Sequence, residues 1–338
     1  AERYGEKLAT PDTSVGDLIG DVDPVKIAEG RSLGDPETIH YGLLPRANRG
    51  VFGINELPDL AERIQVGLFN VLEERDLQVR GYALRLPLDV LVVVSANPED
   101  YTNRGRIITP LKDRFGAEIR THYLEEVDDE VDLIRQEASL VADLPLHLLE
   151  VIARFVYELR GSTAVDQRSG VSARFAIAAA EAAAASALRR SALRGEDPGD
   201  RPTARVGDLP GVVPTLRGKV EFESGEEGRE DEVLDHLLRL AVVETFRSRL
   251  GGVDLTAFTE HFTEGQLVET GPLVPSARLL DQLGPVSGLA TVLDRLGVEE
   301  DTVSPGQAAA AVELVLEGLH LTRRLAKDEI DGTVVYGG

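Results

Sequence analysis

Two short apolar runs, Val51–Ile54 and Val90–Val94, constrain this chain more than anything else in it. Runs without polar alternation suit strands buried on both faces of a parallel sheet. The first is closed by Asn55-Glu56 and the second, which runs on to Ser95, by Asn97. An arginine follows, within Asp113-Arg114-Phe115-Gly116. Polar groups at the C-terminal ends of parallel strands face the crevice where open α/β sheets bind ligands.

The surrounding segments fit such a sheet. Pro58–Glu74 carries Leu60, Ile64, Leu68, Val71 and Leu72 at helical spacing. Leu77–Val79 and Tyr82–Leu86 alternate about Arg80-Gly81, a hairpin signal. Pro110–Phe115 reads as a short helix, Glu118–His122 as a further strand, and residues 1–46 as polar and loop-rich. Strands interleaved with helices predict an α/β fold. Past Leu124 the pattern changes, and residues 125–195 read as helical throughout, most clearly in Ala173–Ala187. Residues 196–232, with EDPGDRPTAR and FESGEEGRED, read as a linker with a solvated acidic loop. Residues 233–250 and 306–327 return to helical spacing.

A net charge of −23 repels phosphates, which disfavours nucleic acid as a partner. No apolar run approaches the ~18–20 residues of a membrane span. The first residues, AERYGEKLATPD, lack the basic and apolar parts of a signal peptide, so the expected location is the cytoplasm. The absence of Cys excludes a disulfide framework and a thiolate metal site. The chain has no Met and starts at Ala1 in mid-pattern, and the expectation is a piece of a longer protein.

The candidate residues each carry a functional and a structural reading. Glu56 could polarise a water for attack on a phosphate, or simply serve as an acid near the start of the helix at Pro58. Asn97 could orient a water or phosphate oxygen, or form the turn that Asn97-Pro98 makes anyway. Arg114 could stabilise charge on a transferring phosphoryl group, or pair at the surface with Asp113 or Asp89. Arg174, in SGVSARF, opens an Ala-rich helix where a cation opposes the dipole, which suggests another contact; it also reads as a plain surface arginine. Their order is that of the downstream half of a nucleotide-hydrolysis site.

Together these segments resemble AAA+ ATPases of the magnesium chelatase I subunit and MoxR-like branch. NRGVFGINELPDL is similar to the Walker B strand, EERDLQVRGYALRLPLDV to the hairpin inserted before the sensor strand, and VVVSANPEDY to sensor 1. TPLKDRFG is similar to the arginine-finger segment and SGVSARF to the sensor 2 helix. The resemblance covers residues 40–125 closely and extends to about residue 190. It implies a partial AAA+ P-loop-type parallel sheet core over 1–123 and an all-α lid over 124–195. An acidic linker over 196–232 and a mostly helical C-terminal region over 233–338 would follow. It implies catalytic roles for Glu56, Asn97, Arg114 and Arg174, ATP contacts from Asn55, Glu56, Asn97 and Arg174, and Mg2+ at Asn55 and Glu56. It also implies a homo-oligomeric ring, a hexamer, that remodels a partner protein bearing a von Willebrand factor A domain.

Two departures qualify this. No GxxxxGK[ST] loop occurs in the sequence, so the phosphate cradle is missing and poor ATP binding by residues 1–338 alone is expected. Asn55 stands where the family has a magnesium-supporting aspartate, and the lost charge weakens that support. A non-hydrolysing AAA+-like scaffold and a true magnesium chelatase subunit are the alternatives. A DNA-linked motor or transcriptional activator is disfavoured by the charge, and no GAFTGA-type loop is present.

Overall fold

The computed structural model describes residues 3–32, 35–74, 77–79, 82–84, 87–97, 106–194, 201–263, 265–271, 273–298, 303–330 and 333–338. The Arg80-Gly81 turn, residues 85–86, Pro98 and residues 196–200 lie outside the described residues. The chain divides into two compact units, Ala1–Thr121 and His122–Gly338.

The first unit contains, in order, β1 (Tyr4–Leu8), α1 (Val15–Leu18), β2 (Gly20–Val22), α2 (Pro24–Ala28), β3 (Ile39–Tyr41), α3 (Leu43–Arg46), β4 (Val51–Asn55), α4 (Glu62–Phe69), β5 (Leu77–Val79), β6 (Tyr82–Leu84), β7 (Leu91–Val94) and α5 (Thr109–Lys112). β1, β4 and β7 form a parallel sheet in that order, with Tyr4 beside Val51 and Val51 beside Leu91. Both apolar runs are therefore parallel strands, and β5 and β6 form the expected antiparallel hairpin. Period-2 alternation makes the two faces of this sheet unlike. Phe52 and Ile54 are fully buried against Leu57, Ile64 and Leu111. On the other face Tyr4, Leu8, Leu91 and Val93 are each more than half exposed.

Two expectations fail here. Residues 1–46 are not mainly loop: β1 reads YGEKL, and its Gly and charges hide a strand whose backbone pairs fully with β4. Glu118–His122 is not a strand: it has no partner among the described residues, and Ile119 is 88% exposed. An unpaired segment leaves its backbone groups to water, so composition alone does not make a strand. The Pro58–Glu74 helix is also shorter than its pattern suggests, with a 3-10 turn at Leu57–Asp59 before α4 and a π-helical turn at Asn70–Glu74 after it.

The second unit contains α6 (Val127–Glu137), α7 (Leu146–Gly161), α8 (Ala173–Arg194), α9 (Val213–Leu216), α10 (Glu230–Leu250), α11 (Thr256–Thr263), β8 (Val268–Thr270), α12 (Ser276–Leu283), α13 (Leu289–Arg295), α14 (Pro305–Leu321), β9 (Ala326–Ile330) and β10 (Thr333–Gly337). α8 buries Ala176, Ala179, Ala180, Ala183, Ala184 and Ala187, one stripe at helical spacing. α10 places Glu230, Asp231 and Glu232 in its first turn and Arg247 and Arg249 in its last, which complements the helix dipole. α14 starts with a capping box between Ser304 and Gln307, has Pro305 in its first turn, and is buried from Ala308 to Leu319. One core joins all these helices and the small sheet β8–β10–β9.

The segment expected as a linker is packed into that core over residues 203–220. Arg205 and Asp208, within the expected linker, are buried in ion pairs with Glu313 (3.3 Å) and Arg190 (3.2 Å). Two further arginines join the helices at their margins. Arg160 grips Glu130 through two hydrogen bonds of 2.8 and 3.2 Å and stacks 4.4 Å from the Tyr123 ring, and Arg249 is paired with Glu150.

The packing of α14 on α10 leaves no room at their crossing. A Cβ at Gly318 would sit 2.1 Å from the Phe246 ring. Phe246 is 6% exposed and has little room to yield. Gly318→Ala is therefore expected to destabilise this unit by about 1–3 kcal/mol, despite the better helix propensity of alanine. Urea denaturation measures this, and a neutral or stabilising result would show that the helices can separate at no cost.

His147 on α7 is fully buried. Burial, aided by the Arg249 charge and opposed only by the Ala310 backbone, lowers its pKa to about 4. The unfolded chain takes up this proton near pH 6.5 and the folded chain only near pH 4, so stability is lost as pH falls through that window. The wild type should lose about 3 kcal/mol more than His147→Leu between pH 7 and pH 4. Parallel pH profiles for the two proteins would refute this.

Candidate functional site

β4 and β7 end together, and their C-terminal ends carry the candidate residues. Asn55 and Ser95 share the uncovered face of the sheet by register. The Ser95 hydroxyl donates to Asn55 Oδ1 (3.3 Å) and accepts from the Glu56 N–H (3.3 Å). Backbone bonds lock the same corner: Ser95 N–H donates to the Ile54 carbonyl (2.9 Å) and Leu57 N–H to the Ser95 carbonyl (3.0 Å). Ala9 N–H donates to the Asn55 carbonyl (2.8 Å), which brings the end of β1 in as well.

Glu56 leaves β4 in a left-handed conformation, φ 56° and ψ 47°. Such a backbone costs a non-glycine residue on the order of 1 kcal/mol or more, and persists where the surroundings over-determine it. Here Leu57 and Pro58, both buried, and the Ser95 clamp hold it. The carboxylate thus leaves the C-terminal end of the central strand from a backbone fixed on both sides. It does not start the long helix directly, because the 3-10 turn intervenes and its side chain makes no capping hydrogen bond.

Asn97 lies two residues beyond Ser95 at the same end of the sheet and is exposed. Gln65, buried on α4, donates to the carbonyls of Leu60 (3.0 Å) and Arg106 (3.1 Å) and accepts from Ile108 N–H (3.0 Å). It thereby fixes the chain that leads into α5 and Arg114. Arg114 pairs with neither Asp113 nor Asp89 but with Glu73, at 2.7 Å from Nε, and stacks 4.9 Å from the Phe69 ring. Arg174 belongs to the second unit, where it is exposed in the first turn of α8. The first unit therefore brings Asn55, Glu56 and Asn97 to one sheet end, whereas Arg114 contacts Phe69 and Glu73 at the C-terminal end of α4, away from the end that follows Glu56.

Ser95 and Gln65 were not singled out from the sequence. A serine after an apolar run and a glutamine in an amphipathic helix are too ordinary to stand out. Only the strand register reveals the first, and only burial the second.

The donor set suits a limited form of metal binding. Asn55 and Glu56 offer one neutral and one anionic oxygen, and no group of three Asp, Glu or His side chains converges among the described residues. That fits a magnesium ion arriving with phosphate oxygens and keeping several waters, rather than a preformed protein cage.

Known proteins share parts of this chain. The Sigma-54 interaction domain matches residues 30–114. The acetoin dehydrogenase operon transcriptional activator AcoR of Bacillus subtilis (strain 168) is 23% identical over 144 residues, 38% of this chain and 22% of that protein. The chain thus spans about a fifth of the length of the curated relative it matches. Among solved structures, NtrX from Brucella abortus aligns at 18% identity over 83% of this chain and 58% of its own, with a TM-score of 0.42. The complex between the magnesium chelatase subunits BchI and BchD, known from single-particle cryo-EM, aligns at 17% identity over 94% and 69%, with a TM-score of 0.31. No described helix is long and apolar enough to cross a membrane. The sequence match falls on the Sigma-54 interaction domain, while the motifs quoted above resemble the chelatase and MoxR branch; both are AAA+. The segment 30–114, which holds strands β3, β4 and β7 of this α/β unit, is similar to the Sigma-54 interaction domain.

Proposed function

We propose that the first unit is the water-activating and phosphate-sensing half of an ATP-hydrolysing AAA+ ring subunit, chelatase-like or MoxR-like, that remodels a partner protein. The observation that carries this is the locked corner at the end of β4 and β7, where a strained Glu56 is held beside Asn55 and Ser95 on an uncovered sheet face. Glu56 accepts a proton from the attacking water. Asn97 orients that water or a phosphate oxygen. By its resemblance to the sensor 2 arginine, Arg174 is assigned a nucleotide contact, and Arg114 serves the nucleotide of the next subunit in the ring. Bound magnesium supplies charge neutralisation for the phosphates, with Asn55 and Glu56 as the residues that would hold it through water.

A phosphate-cradling loop is needed, and the sequence holds no GxxxxGK[ST]. The reading puts that loop on a strand–helix segment alongside β7. The exposed Leu91 and Val93 give such a segment an apolar surface to cover, as parallel sheets require. A hexameric ring and a partner with a von Willebrand factor A domain complete the proposal.

The test is ATP turnover by the protein expressed from its complete native reading frame. Turnover should rise with subunit concentration. Mixing Arg114→Ala subunits with Glu56→Gln subunits should restore part of it, since each supplies what the other lacks at a shared interface. No turnover in the wild type, or no complementation in the mixture, would sink the ring reading.

The match to the Sigma-54 interaction domain and to AcoR favours a second reading, in which hydrolysis acts on the transcription machinery. Against it stand the net charge of −23 and the lack of a GAFTGA-type loop. Nucleotide-dependent binding to a sigma-54 polymerase in a pull-down would favour it over the chelatase-like reading.

A further inference from the structure

Arg114 is the residue that the proposed function sends to a neighbouring subunit, yet here it is folded onto its own. Nε donates to Glu73 Oε2 at 2.7 Å, and NH2 lies 2.5 Å from the same oxygen. NH1 donates to the Pro110 carbonyl at 2.6 Å, and the guanidinium lies 4.9 Å from the centre of the Phe69 ring. Nitrogens, charge and flat face are all engaged within one chain.

Glu73 occupies the π-helical turn Asn70–Glu74, which joins α4 to the hairpin of β5 and β6. Such turns are rare and recur at functional positions. Phe69 and Glu73 stand four residues apart and present a ring and a carboxylate to the same guanidinium. β5 begins four residues after Glu73, at Leu77. The Glu73 and Arg114 side chains are 58% and 29% exposed, so the pair is weak enough to open.

We propose that Glu73 is a latch on Arg114. With the pair closed, the guanidinium is kept from a phosphoryl group across a subunit interface; displacement of the β5–β6 hairpin by a bound partner opens it. This rests on the proposed function, in which Arg114 acts in trans. Glu73 is accordingly a positioning residue that touches neither substrate nor metal.

The experiment is steady-state ATP turnover by the protein from its complete native reading frame. Glu73→Gln keeps the size of the side chain and removes its charge. It should raise kcat about two- to fivefold, the scale of a part-exposed arginine–carboxylate pair, with KM for ATP unchanged. Glu73→Asp, which retains the charge, should stay within about twofold of wild type. In an Arg114→Ala background, Glu73→Gln should have no effect. A kcat for Glu73→Gln that is unchanged or lower overturns the latch, because a merely structural pair would give that result. Absent turnover in the wild type, or normal turnover by Arg114→Ala, overturns the proposed function itself, and the latch with it.

Discussion

Glu56→Gln in the protein from its complete reading frame is expected to lower ATP turnover by about 10²- to 10⁴-fold, the usual contribution of a positioned general base. Nucleotide affinity should change little, because glutamine keeps the shape and one oxygen. Folding should change little too. The left-handed backbone at Glu56 is fixed by Leu57, Pro58 and the Ser95 clamp rather than by the carboxylate, which makes no capping hydrogen bond. The non-hydrolysing scaffold requires the opposite result: no change, because there is no turnover for Glu56 to support. A variant with wild-type turnover would remove Glu56 from the mechanism. Ser95→Ala is a useful companion. It deletes both hydroxyl contacts, to Asn55 and to the Glu56 N–H, and leaves the backbone lock intact.

Asp208→Ala is expected to cost about 3–5 kcal/mol of stability in the second unit, the usual penalty for removing one partner of a buried ion pair. Asp208 and Arg190 are each 1% exposed at the side chain. Asp208 accepts from Arg190 NH2 (3.2 Å), Ser186 Oγ (3.2 Å) and the Arg205 N–H (2.9 Å). Its removal takes a paired carboxylate from a buried guanidinium that also donates to the Thr203 carbonyl (2.7 Å). It also frees the backbone that aims Arg205 at Glu313. The double variant Arg190→Met/Asp208→Leu should recover much of the loss, because an apolar pair of similar volume replaces a buried ion pair at little cost. Urea midpoints for the three proteins decide this. A loss below about 1 kcal/mol for Asp208→Ala would mean that water reaches the pair.

Both expectations concern residues whose role was unequally legible. Glu56 stood out because an acid closes an apolar run, a local pattern that period and turn chemistry make visible. Asp208 did not, because a Pro- and Gly-containing stretch reads as a linker and its partners lie elsewhere in the sequence: Arg190 18 residues earlier, and through Arg205 Glu313 on another helix. β1 was missed for a related reason. YGEKL has no apolar run, and its strand state comes from the backbone of β4. Glu118–His122 erred the other way, since suitable residues found no strand to pair with among the described residues.

The sequence by itself determined the two apolar strands, the hairpin, the long helices and the order Asn55, Glu56, Asn97, Arg114, because each is written in residues a few positions apart. Tertiary structure alone decided that Ser95 ties the two strand ends, that Glu56 is held in a left-handed backbone, and that Arg114 is bound by Glu73. Those contacts join residues 39 to 41 positions apart. No local periodicity encodes such distances; they exist only once strand register and helix packing have brought the partners together.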